Sequence, residues 1–106
     1  MAYYLVSARP VPDRLSDLEI KLTQRAFQDL EPFGRALTAS LEAARLLPDG
    51  TAVWEEEDYC RPPLAQEREA VLDQYFEDLS VDPVSPGAGW SRIGQLPPLF
   101  PALAAR

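Results

Sequence analysis

Four consecutive carboxylates, Glu55-Glu56-Glu57-Asp58, stand between Trp54 and Tyr59 in a segment of strand-forming residues that begins near Thr51. Side chains of a strand alternate between its faces. Glu55 and Glu57 therefore go with Val53 and Tyr59, and Glu56 and Asp58 go with Trp54 and Cys60. Every placement of this strand puts charge on both faces. Adjacent carboxylates repel one another and are costly to desolvate unpaired, so neither face is expected to be dry core throughout. The Glu56 to Asp58 portion is expected to reach water or a cation.

The acidity is regional. From Glu55 to Asp82 there are ten carboxylates and two arginines, and the chain as a whole carries −7, so the remainder is close to neutral. At 106 residues the chain suffices for one domain with one core, and 46% apolar and 25% charged residues match ordinary globular proteins. There is no histidine, which excludes Ser-His-Asp and Cys-His mechanisms and the usual switch near neutral pH. Cys60 is the single cysteine and cannot form an internal disulfide, which fits a reducing compartment. Met1 to Val6 shows no charged leader, and no apolar run is long enough to span a bilayer, so a cytoplasmic protein with no membrane partner is expected. Eleven prolines with one methionine and no asparagine suit a heat-adapted or GC-rich bacterial source.

Periodicity and punctuation give the elements. Tyr3 to Ala8 reads as a strand apolar on both faces, hence central in a sheet, and it stops at Pro10 and Pro12. Leu15, Leu18, Leu22, Ala26 and Leu30 recur at helical spacing, with Asp17 placed to pair with Lys21; Leu18, Ile20 and Leu22 as an alternating strand is the competitor. A second helix runs from Phe33 through Leu37, Leu41, Ala44 and Leu47 to the turn at Pro48-Asp49-Gly50. The second strand spans Thr51 to Tyr59. A third helix follows Pro62 and Pro63, with Leu64, Arg68, Val71, Leu72, Tyr75, Phe76 and Leu79 as its stripe and Glu67 and Glu69 in its early turns. Leu79 to Val84 is a candidate edge strand.

The expected fold is therefore α+β, a small two-layer sandwich of two to three strands and about three helices. Residues 1–84 form the core domain. Residues 85–106 form a proline- and glycine-rich arm whose Trp90, Ile93, Leu96, Leu99, Phe100 and Leu103 must dock, on the core or on a second subunit as a homodimer.

For function, a charge run is most simply a solvated strand end that discourages aggregation. The leading functional expectation is a noncatalytic interaction or regulatory module that presents Trp54, Glu55, Glu56, Glu57, Asp58 and Tyr59 to a basic protein surface. The rival is a carboxylate-dependent enzyme, divalent-metal-assisted, with Glu57 or Asp58 as base or cation ligand and Arg61 as an anion contact. A concave pocket on these residues would favour the rival. With no calcium-type loop and no glycine-rich phosphate loop, no metal, cofactor or catalytic residue is assigned. Cys60 has Arg61 beside it but four acids before it, and reads as a small packed residue. Pro98 and Pro101 have the spacing of a polyproline ligand, for which a strap over the protein's own core is the simpler account. The negative charge and the lack of a basic aromatic cluster argue against nucleic acid.

Overall fold

Strand β1 (Ala2–Pro10) leads the chain, followed by helices α1 (Pro12–Thr23) and α2 (Gly34–Glu42), then strands β2 (Arg45–Leu46) and β3 (Ala52–Asp58). Helix α3 (Ala65–Ala70) and a 3-10 turn (Leu72–Gln74) lead into strand β4 (Phe76–Val84), and helices α4 (Ala88–Ile93) and α5 (Pro101–Ala104) complete an α+β fold. The computed structural model describes residues 2–105, so Met1 and Arg106, the outer ends of the two expected segments, lie outside the described residues. Among these, no helix is long and apolar enough to cross a membrane.

The sheet is antiparallel in the order β2-β3-β1-β4, with the doubly apolar β1 inside it. On one face Val6, Ala8, Ala52 and Trp54 pack with Leu18 and Leu22 of α1, Leu37 and Leu41 of α2, and Leu64, Val71 and Leu72. On the other, Leu5 and Val53 pack with Ile93 of α4, joined by Leu47, Val84, Leu96 and Trp90. Helical cover on both faces is more than the expected two-layer sandwich provides.

Several elements differ from expectation. Among the described residues there are four strands, not two to three. Helix α1 forms as its spacing predicts and Ile20 points outward at 53% exposure, which disposes of the strand alternative. It stops at Thr23, however, and Phe27 is buried where Ala26 and Leu30 were expected. Asp17 pairs with Arg14 rather than Lys21. Helix α2 ends at Glu42 because Arg45 and Leu46 are taken up as β2 against Val53 and Ala52. The third helix is also shorter than its stripe. Phe76 begins β4, whose residues pair along β1 from Pro10 to Tyr3, and backbone pairing with a distant strand overrides the local helical pattern. Glu77 and Asp78 pair with Arg9 of β1 beside the register shift between the two strands.

Residues 85–105 are woven into both packing layers. Beyond α4 the chain runs beside β2, where Leu46 N–H donates to the Pro97 carbonyl, Leu99 N–H donates to the Ala44 carbonyl, and the Arg45 guanidinium reaches the Leu96 carbonyl at 2.8 Å. Leu99, Phe100 and Leu103 then enter the cluster of the first face. Phe100→Ala should therefore lower unfolding free energy by about 3–5 kcal/mol in urea titration, against within about 0.5 kcal/mol for Ile20→Ala. A Phe100→Ala loss no larger than that of Ile20→Ala would contradict this packing.

Candidate functional site

The acidic run is divided by the sheet. Glu55 lies on the α4 face and is buried at 4% exposure. Its Oε2 accepts from Gly87 N–H at 2.8 Å, and its Oε1 accepts from Gly89 N–H at 2.7 Å and Trp90 N–H at 3.3 Å. Hydrogen bonds to an ionised acceptor are roughly twice as strong as neutral ones, and these also satisfy free amides at the start of α4. The two glycines are required here. Gly87 has φ +82°, and a Cβ on Gly89 would stand 2.9 Å from the Glu55 Oε1. Glu55 thus fastens α4 to β3.

Trp54, Glu56 and Asp58 point to the opposite face. The Trp54 ring is fully buried, 5.1 Å from Phe76 between centroids, and its Nε1–H donates to Glu56 Oε1 at 2.8 Å. Asp58 Oδ2 accepts from Cys60 N–H at 3.1 Å and Leu64 N–H at 2.6 Å, which fixes its carboxylate at the turn into α3. Glu67 of α3 is brought beneath this turn, where the Cys60 thiol donates to its Oε1 at 3.8 Å. Glu56 and Glu67 are each 1% exposed, and the Oε2 of each has no hydrogen-bond donor.

Electrostatics follow from this burial. Desolvation, opposed by the Trp54 indole and reinforced by the charges of Glu67 and Asp58, pushes the Glu56 carboxyl up to about 8. Desolvation and a hydrogen bond shared with Asp58 push Glu67 up to about 7. Burial works against ionised Asp58 too, but the Leu64 amide, the Glu67 carboxyl and the Cys60 amide together hold it below its ordinary value. The Gln66 amide favours a Cys60 thiolate, yet burial and the neighbouring Asp58 and Glu67 outweigh it and raise the thiol.

Above this floor is a pocket of about 200 Å³ lined by Pro32, Phe33, Ala36, Glu57, Asp58, Tyr59, Cys60, Gln66 and Glu67. Glu57, half-buried, is among the lining residues, its Oε1 accepting from Tyr59 OH at 2.8 Å and its Oε2 from Tyr3 OH at 3.2 Å. Tyr59 is 65% exposed.

Burial divides the residues of the expected acidic face. Of its six residues, Trp54, Glu55, Glu56 and Asp58 are buried, and only Glu57 and Tyr59 are accessible to a partner. The fold supplies amide and indole donors that the sequence does not place beside the run. Arg61 is exposed outside the pocket lining. Glu67, which sequence reasoning treated as a favourable early-turn charge, belongs to the site. Its spacing was the signal: it stands three residues after Leu64 and four before Val71, on the buried stripe. Comparison with protein-family models, curated proteins and solved structures finds no match.

Glu55→Gln should destabilise the protein by about 2–3 kcal/mol, since the amide opposes one N–H donor with another, whereas Glu57→Gln should cost less than about 1 kcal/mol. Equal losses in urea denaturation would contradict the assigned roles. For pH, the unfolded Glu56 and Glu67 release their protons near the ordinary value of 4.5, while the folded chain keeps them to about 8 and about 7. Stability should therefore fall as pH rises through this window and level off above it, while the depressed Asp58 has the opposite sign and acts only on the acid side. Denaturation across this range in a chelator should show that decline, reduced in Glu56→Gln. A wild-type profile that is flat or rising would refute it.

Proposed function

We propose that this protein is a binding module that recognises a basic side chain, lysine or arginine, of a protein partner at the mouth of the pocket. One observation carries this: the accessible acid of the run, Glu57, lines a concave opening together with Phe33 and Tyr59. Aromatic faces attract ammonium and guanidinium groups, and a carboxylate beside them adds charge complementarity. The two tyrosine hydroxyls orient Glu57 in advance, which lowers the entropy lost when a partner is seated. Leu99, Phe100 and Leu103 are already buried within the chain, which favours a foreign basic group over a second copy docked through that segment. A reducing setting such as the cytoplasm belongs to the same proposal and agrees with the lone Cys60.

The concavity of the site also favours a second function, carboxylate acid–base chemistry. Asp58 and Glu67 are adjacent acids with affinities displaced in opposite directions, the arrangement in which one carboxyl accepts a proton while its neighbour holds one.

A direct test follows backbone amide shifts while N-acetylarginine methylamide or its uncharged citrulline counterpart is added. The arginine compound should shift Phe33, Tyr59, Cys60 and Gln66 selectively, with a response weakened several-fold by Glu57→Gln and by salt. Equal responses to the two compounds, or none, would sink the proposal.

A further inference from the structure

The floor of the pocket has a geometry that a basic side chain at the mouth leaves unused. One carboxylate oxygen of Asp58, the Cys60 Sγ and one carboxylate oxygen of Glu67 all lie within 4.8 Å of one another. The Cys60 Sγ and Glu67 Oε1 are 3.8 Å apart. A tetrahedral ion bonded to a thiolate at about 2.3 Å and to a carboxylate oxygen at about 2.0 Å holds sulfur and oxygen about 3.5 Å apart, so this pair needs only a small closure. The second carboxylate oxygen of Glu67, Oε2, is buried without a hydrogen-bond donor, in a side chain 1% exposed. Buried polar atoms are nearly always satisfied, and an unpartnered oxygen on a side chain of the cluster itself points to a missing partner there.

We infer that the floor of the pocket is a divalent-metal site of the zinc class, with Asp58, Cys60 and Glu67 as its ligands and a further position open to the pocket. A thiolate beside two carboxylates selects a borderline ion such as Zn²⁺ or Co²⁺ over Mg²⁺ or Ca²⁺, which take oxygen donors almost exclusively. The surroundings hold the ligands in place: the Cys60 and Leu64 amides fix Asp58, and α3 carries Glu67 from the packed stripe of Leu64 and Val71. Binding is a ligand exchange without electron transfer, in which the ion sheds water and the Cys60 thiol, together with the Glu67 carboxyl where it is protonated, releases its proton to solvent.

Glu57 and Tyr59 line the same pocket but are not among the ligands of the site. The test uses the full chain, stripped with a chelator and reduced, then titrated with Co²⁺ alone. One equivalent should bind and give a thiolate-to-cobalt charge-transfer band in the near ultraviolet. Cys60→Ser should abolish the band, Glu67→Gln should weaken binding at least about 10-fold, Glu69→Gln, an exposed acid of the same helix, should leave both intact, and Zn²⁺ but not Mg²⁺ should displace the cobalt. Absence of the band in the wild-type protein, or unchanged cobalt affinity in folded Cys60→Ser, would overturn the inference. A proton held between Asp58 and Glu67 would then be the occupant of the floor.

Discussion

Desolvation of the β3 carboxylates is the constraint on which the rest of the structure depends. Isolated ionised carboxylates are among the costliest groups to take out of water, yet Glu55, Glu56 and Asp58 are each under 5% exposed. The remainder of the fold can be read as a supply of donors. Backbone amides of Gly87, Gly89 and Trp90 come to Glu55, the Trp54 indole comes to Glu56, and the amides of Cys60 and Leu64 come to Asp58. Two of these three solutions also place a helix: α4 is fastened over one face and α3 is started at the edge of the other. The same charges that threaten the core thus determine how the second half of the chain is attached to the first.

Sharing is uneven, and that inequality separates structure from function. Glu55 is fully answered by amides and lies outside the pocket lining. Glu56 and Glu67 are answered on one oxygen only, and Asp58 faces Glu67 across a floor that also holds a thiol. A stable core with no other role would ordinarily replace such groups with apolar ones, since buried ionic clusters seldom stabilise more than the hydrophobic residues that could stand in their place. Asp58 and Glu67 line the opening, whereas Glu56 lies outside its lining.

Much of the fold was legible in local sequence, and the rest was hidden for physical reasons. The doubly apolar Tyr3 to Ala8 announced an interior strand, and Leu18 with Leu22 announced the buried side of α1. Strand β4 was obscured because Tyr75, Phe76 and Leu79 fit a helical stripe as well as they fit a strand, and the partner that decides between them is β1, at the other end of the chain. Strand β2 is two residues long, too short for any period to show. In the site, the alternation of Glu55 and Glu57 against Glu56 and Asp58 was correctly implied by strand geometry, but solvation was the wrong consequence. The donors to Glu55 lie more than thirty residues away in a glycine turn that reads locally as a mere breaker. Glu67 was the recoverable omission, since its spacing from Leu64 and Val71 already put it on the packed side of α3.

The central claim, that β3 and α3 hold acids away from water without full compensation, is tested most directly by carboxyl ¹³C NMR of the glutamates in metal-free protein as pH is varied. Two glutamate carboxyls should titrate near neutral or above, at about 7 and about 8, and Glu67→Gln and Glu56→Gln should each remove one of them. Titration of every glutamate near the ordinary value of 4.5 would show that these groups are hydrated, and would contradict the account of both the core and the pocket floor.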